Sequence, residues 1–196
     1  VFMKTKIYLA IMQIDMAAAS LRLVVVAAAV AISLRGAAAT AVTVEDACRH
    51  TRHEAYCVKA LSARPESRAA ALDMPALAEA ALSMAAESGA AAASFVRNLA
   101  KMPGGMPPEC LEGCVAKFQE AVAELRRSEA AMEVRHDAAG AKAWVTEARA
   151  DGETCMDECR MTEGGAAPEI ADRIDELAKL CSIALALTDA SMSKRP

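Results

Sequence analysis

Two Cys-x-x-x-Cys pairs, Cys110 with Cys114 and Cys155 with Cys159, sit about forty residues apart on stretches that both read as amphipathic helices. A spacing of four puts both cysteines of a pair on one face, one turn apart. If the two helices run antiparallel, one turn up the first is one turn down the second. Cys114 can then bridge to Cys155 and Cys110 to Cys159, two rungs on a single seam. The Cys114–Cys155 rung closes a loop of about 42 residues, for which the chain-entropy model gives roughly 4 kcal/mol. The second rung adds less, because the loop is already closed, and fixes rotation and register. Such a ladder needs an oxidising compartment and rigid helices, and no chemistry at sulfur.

The N-terminus supplies that compartment. Met16-Ala-Ala-Ala-Ser-Leu-Arg22 gives a start and a basic region, Leu23 to Leu34 is almost wholly apolar, and Ala37-Ala-Ala-Thr-Ala41 offers small residues for cleavage. This three-part pattern predicts a secretory signal peptide within residues 1–41, the apolar run being too short for a comfortable membrane span. The chain begins with Val, so residues 1–15 read as an upstream extension or as an alternative start from Met3. The segment 1–41 holds four basic residues and one acidic residue. The expected mature chain, 42–196, therefore carries 18 basic against 25 acidic groups, a net of −7. An acidic chain without a basic stripe or aromatic platform is a poor nucleic-acid binder, and after leader removal nothing remains to hold it to a membrane.

Ala-rich composition with few β-branched or aromatic residues favours helices over strands. Cys48 and Cys57 enclose eight residues, and a bridge there suits a short helical hairpin, with Glu45 and Asp46 starting its first helix and Tyr56–Leu61 in its second. A long helix is predicted over 74–101, with Asp73 as N-cap and Pro75 in the first turn. Its inward stripe is expected at Leu77, Ala81, Met84, Ser88, Ala91, Phe95 and Leu99. The Pro/Gly run at 102–108 ends it. The next helix starts at Pro108 and fades at 134–140, with Leu111, Cys114, Phe118, Ala121, Leu125 and Met132 inward. A third runs over about 141–160, with Trp144, Ala148, Asp151, Cys155 and Cys159 in one stripe and Trp144 in the core. A fourth runs from Pro168 to about Ala190, with Ile170, Ile174, Leu177, Cys181 and Ala184 inward. Short connections between long amphipathic helices predict an all-α, up-down-up-down four-helix bundle, preceded by the helical hairpin and stapled by disulfides.

Rival readings of the cysteines are weaker. A four-thiolate zinc site is disfavoured by secretion. Twin Cys-x-x-x-Cys chaperones of the mitochondrial intermembrane space have a much shorter loop and no such leader. Cys181, the odd cysteine, reads as a small buried hydrophobe and a free thiol. His50, His53 and His136 belong to no metal or nucleophile motif, and no Gly-rich phosphate loop follows a strand. No cofactor, metal or catalytic residue is expected, so the chain reads as a non-enzyme.

Four segments are familiar in order and spacing: Cys48-x8-Cys57 followed by Val-Lys-Ala-Leu61; Cys114-Val-Ala-Lys-Phe118-Gln-Glu-Ala-Val122; Ala148 to Thr154-Cys155-Met-Asp157; and Leu180-Cys181-Ser-Ile-Ala-Leu185. Together they resemble the plant invertase and pectin methylesterase inhibitor family, from about Val44 to Thr188. The resemblance implies a hairpin on a four-helix bundle, Cys48–Cys57 and Cys114–Cys155 as the family's two bridges, and Cys181 as the unpaired fifth cysteine of many members. Cys110 and Cys159 depart from the basic pattern.

Family members divide by target. Some cover the substrate cleft of pectin methylesterase with helices of the bundle, and others block cell-wall or vacuolar acid invertase. The Pro-Lys-Phe tripeptide associated with invertase inhibitors is absent, its nearest string being Ala116-Lys117-Phe118, while the Leu-Cys-x-Ile-Ala-Leu string looks more like the pectin methylesterase side. The resemblance thus implies a secreted apoplastic inhibitor of pectin methylesterase, with acid invertase (and a vacuolar location) as the alternative and a non-inhibitory structural or ligand-binding wall protein as a further one. The candidate target-binding residues are Lys117, Glu120, Glu124 and Arg127 on the second long helix, with Lys142, Thr146 and Arg149 on the third.

Overall fold

Short polar side chains and prolines set where most helices of the described residues begin. In the computed structural model, which describes residues 41–65, 72–102, 106–135, 137–155, 157 and 168–193, Thr43 accepts from the Asp46 amide at 3.1 Å and opens α1, Val44–Cys48. After α2, Glu54–Ser62, Asp73 accepts from the Ala76 amide at 2.9 Å and opens α3, Met74–Leu99, with Pro75 in its first turn. Pro108 begins α4, Pro108–Arg135. Asp137 accepts from the Gly140 amide at 2.9 Å and opens α5, Ala138–Thr154. Pro168 begins α6, Pro168–Ser193. Each cap satisfies an amide that the first helical turn leaves without an intrahelical partner.

The expected start of α5 at 141 is corrected to 138. The Asp137 side chain caps the helix, so Gly140 lies in its first turn instead of ending the one before. The expected end at 160 also moves: the helix stops at Thr154, and residues 158–160, with Cys159, lie outside the described residues. So do the expected leader up to residue 40 and His136.

The four long helices form a ring, α3 packing on α4 and α6, and α5 packing on the same two. Neighbours run antiparallel. Ser128, late in α4, donates to the carbonyl of Ala141, early in α5, at 2.9 Å, while Cys114, early in α4, is bonded to Cys155 just past the end of α5. Lys142 pairs with Asp189, and Gly152 meets Leu177, which reverses the order again between α5 and α6. The result is an up-down-up-down bundle of the four long helices around a shared core.

Cys48 and Cys57 are bonded, their Cα atoms 5.7 Å apart, and join α1 to α2. The hairpin rests on α3 and α6. Leu61 is fully buried beneath it, the Tyr56 hydroxyl donates to Glu176 Oε1 at 3.3 Å, and Arg64 pairs with Glu87. Burial first, then the charge of Glu176, raises the Tyr56 hydroxyl above its ordinary pKa. The Val42 amide donates to the Leu72 carbonyl at 2.8 Å in an isolated bridge that ties the segment before α1 to the entry of α3.

The stripe expected on α3 is rotated in the fold. Leu77 and Ala81 are buried, but Ala91 is exposed, and Met84, Ser88, Phe95 and Leu99 are half-buried. The buried face also takes in Met74, Ala78, Leu82, Ala85, Ala86, Gly89, Ala92, Ala93 and Val96. Alanine occurs on every side of this helix, so periodicity alone does not fix its rotation, and the small residues that let the backbones approach mark much of the seam. Leu177 shows how the space is filled. It is 1 % exposed, and a Cβ built on Gly152 would lie 2.9 Å from its Cδ2, while one on Gly89 would lie 2.9 Å from Val122 Cγ2 and 3.8 Å from Leu177 Cδ1. Two glycines thus make the room that one leucine and one valine occupy. Trp144 is also corrected: it is half-buried at the rim, and Ala141, Val145, Ala148 and Gly152 form the core face of α5.

Candidate protein-docking face

The exposed flank between α4 and α5 gathers most of the charged candidates. Lys117, on α4, donates to Glu120 Oε2 at 2.6 Å and across the seam to Asp151 Oδ1 at 3.2 Å. Those hydrogen bonds raise the lysine above its ordinary pKa. One turn on, Glu124 is half-buried, with its Oε2 buried and without a hydrogen-bond partner. Burial first, then the negative charges of Asp151 and Glu147, pushes its carboxyl up to about 7, against the opposing pull of Arg127. Arg127 lies over the Trp144 ring, its guanidinium carbon 4.9 Å from the ring centroid, which is cation–π distance. Arg127, Ala130, Val134 and Trp144 line an open groove of about 390 Å³ at this end, where Val134 is 75 % exposed.

The structure divides the α5 candidates from those on α4. Lys142 pairs with Asp189 of α6, Thr146 donates to the Lys142 carbonyl at 2.8 Å, and Arg149 donates to Glu153 at 2.8 Å. Arg149 and Glu153 act on Cys181 of α6. These residues follow the flank of α5 turned to α6. The α5 residues that meet Lys117, Glu124 and Arg127 are Asp151, Glu147 and Trp144, at spacings of three and four. The sequence pattern puts Trp144 and Asp151 on the inward stripe and does not single out Glu147. The signal was present: a carboxylate on an otherwise apolar stripe needs a cation, and Lys117 on the antiparallel neighbour supplies it.

The cysteines lie beside this face. Cys114 and Cys155 are bonded, with Cα atoms 4.3 Å apart, at the end of the seam opposite Trp144. Cys110 is disulfide-bonded as well. Cys181 is a free, fully buried thiol, and burial pushes it up to about 12, so it is inert as a nucleophile at physiological pH. His50 is exposed and His53 half-buried. Among the described residues no group of three or more His, Cys, Asp or Glu is placed to hold a metal ion, and no helix is long and apolar enough to cross a membrane. The chemistry this face offers is recognition: paired charges, one stacked Arg–Trp pair, and a scaffold locked by sulfur.

Comparison with known proteins agrees with the bundle. The fold is similar to that of a pectin methylesterase inhibitor from Arabidopsis in a mutant form, at a TM-score of 0.60 and 19 % identity over 72 % of this chain and 92 % of the other. It is similar also to a pectin methylesterase inhibitor from Arabidopsis thaliana, at a TM-score of 0.56 and 19 % identity over 78 % of this chain and 97 % of the other. No curated relative matches at the level of sequence. The family model for plant invertase/pectin methylesterase inhibitors matches residues 42–187, from the segment before α1 to the last turns of α6. With that span, the bonded hairpin and the stapled four-helix bundle, the chain belongs to the plant invertase/pectin methylesterase inhibitor family, whose members are extracellular cell-wall inhibitors and not enzymes.

Proposed function

We propose that the chain is a secreted inhibitor of pectin methylesterase that lays its α4–α5 flank over the mouth of the enzyme's substrate cleft and excludes the polymer. Residues 1–41 act as the leader that delivers it to the apoplast, and residues 42–196 are the inhibitor. The observation that carries the reading is the preorganised flank itself: the bonded Cys114 and Cys155 hold α4 and α5 in register at one end, and an exposed Arg127 lies over a half-buried Trp144 at the other. Trp and Arg are over-represented among residues that dominate protein interfaces, and a rigid scaffold loses little entropy on docking. The acidic net charge favours a basic partner through long-range attraction.

Two features favour pectin methylesterase over acid invertase. The helix α6 carries Leu180-Cys181-Ser-Ile-Ala-Leu185, and the structural neighbours are named as pectin methylesterase inhibitors. The string nearest to the invertase-associated tripeptide, Ala116-Lys117-Phe118, is structural in this chain, since Phe118 is fully buried and Lys117 is ion-paired. Purified mature protein is expected to inhibit a pectin methylesterase in a methanol-release assay and to leave acid invertase active. Trp144→Ala should weaken that inhibition about tenfold, equivalent to about 1.4 kcal/mol. Inhibition of invertase alone would transfer the reading to the other target. Inhibition of neither, at acidic and neutral pH, would leave a structural wall protein in its place.

A further inference from the structure

The α4–α5 seam holds more negative charge than its cations match. Glu124 lies half-buried at it on α4, in hydrogen-bond reach of the half-buried Asp151 of α5, and the charge of the exposed Glu147 acts on it as well. The Glu124 Oε2 is buried and has no donor, a costly state for an ionised carboxylate. The cations nearby are engaged: Lys117 holds Glu120 and Asp151, and Arg127, which acts on Glu124, lies against the Trp144 ring. On its other flank α4 meets α3, where Gly89 faces Val122 and the carboxylate of Glu87 is taken by Arg64. One proton resolves the arrangement. Placed on Glu124, it turns the orphan oxygen into a donor within reach of Asp151 and removes one of three facing negative charges.

We infer that Glu124 and Asp151 share a proton across the seam and form an acid-closed latch, which bridges α4 to α5 when Glu124 is protonated and drives the two helices apart beside the Arg127–Trp144 pair when it ionises. The direction follows from linkage. The Glu124 carboxyl, pushed up to about 7, binds its proton more tightly in the fold than in the unfolded chain. Its stabilising contribution is whole below the unfolded carboxylate value and is lost as pH rises through the folded one. The flank is therefore most rigid in acid, and loosens on approach to neutrality. Its functional consequence rests on the docking reading above, since the latch sits within that flank; its physical consequence does not.

Side-chain carbon-13 NMR of the mature protein is expected to show Glu124 titrating near 7, and Asp151→Asn should move that midpoint down toward the ordinary carboxylate range. If Glu124 titrates near 7, the Tm of the wild type should fall by about 5 °C or more between about pH 5 and about pH 8, and Glu124→Gln should remove more than half of that fall. A Glu124 that titrates as an ordinary carboxylate, or a Glu124→Gln variant with the full pH dependence of Tm, overturns the latch. Against pectin methylesterase, inhibition by the wild type should weaken toward neutral pH and the Glu124→Gln profile should be flatter. An unchanged profile overturns the functional half of the inference. Absence of inhibition at every pH, with the NMR and Tm results intact, overturns the docking reading and leaves the latch standing.

Discussion

The helix α5 meets its two neighbours in opposite ways. Against α6 it is dry: Gly152 opens a space that Leu177 fills, Ile183, Ala184 and Cys181 are buried, and the ion pair Lys142–Asp189 lies at the rim. Against α4 it is charged: Glu124, Glu147, Asp151 and Lys117 stand in or beside the seam, and the helices are bonded through Cys114 and Cys155. Close packing secures the first seam, because a small residue against a large one gives dispersion contacts and excludes water. Half-buried carboxylates oppose the second seam, and a covalent link resists the separation that ionisation favours. A helix can thus be held by shape on one side and kept available for recognition on the other.

The contrast is open to direct attack. Leu177→Ala should cost about 3 kcal/mol in urea unfolding, since it removes a fully buried side chain from a site where two glycines offer nothing to refill the cavity. A cost under about 1 kcal/mol would mean that the dry seam collapses around the loss. The double variant Cys114→Ser with Cys155→Ser should cost about 2 kcal/mol, toward the lower end for a disulfide because Cys110 is bonded too. Its loss should fall on the α4–α5 seam, read as faster amide exchange at the start of α4 and the end of α5 with α6 unchanged. Non-reducing peptide mapping should find Cys110 linked to Cys159, and any other partner for Cys110 would break the two-rung ladder.

Smaller substitutions set the dry α5–α6 seam, at Gly152, beside the α3–α4 seam, at Gly89. Gly89→Ala should destabilise by about 1 kcal/mol, because the new Cβ meets Val122 Cγ2, whose β-branched side chain has one favoured rotamer in a helix. Gly152→Ala should be neutral within about 0.5 kcal/mol. Its Cβ meets the far end of Leu177, which can swing aside, and the alanine gains about 1 kcal/mol of helix propensity to offset that strain. Equal losses at the two sites would show that the seams differ less in pliancy than their side chains suggest.

Much of the architecture was legible in the chain because local rules set it. Asp73 with Pro75 and the prolines at 108 and 168 mark helix starts by backbone chemistry alone, and the face Leu111, Cys114, Phe118, Ala121, Leu125 and Met132 is buried throughout. The Cys-x-x-x-Cys spacing and short connections were enough to put α4 and α5 side by side in opposite directions. Reading failed where size was taken for burial. Trp144 and Phe95 have the size of core residues, yet they sit at rims with arginines against their rings, Arg127 at 4.9 Å and Arg173 at 5.3 Å. The α3 core line is mostly alanine and glycine, residues that periodicity alone cannot rank in so Ala-rich a helix.

What the sequence by itself determined is helix content, the order and limits of most helices, the antiparallel sense of neighbours and the family. These follow from propensity, capping and connection length, which act over a few residues. Only the tertiary structure decided which flank of α5 faces α4 and which faces α6. It thereby grouped Lys117, Glu124 and Arg127 with Trp144, Glu147 and Asp151, and turned Lys142, Thr146 and Arg149 away. Rotation of a helix about its own axis is set by how small and large residues of two partners interlock, and that information is shared between segments far apart in the chain.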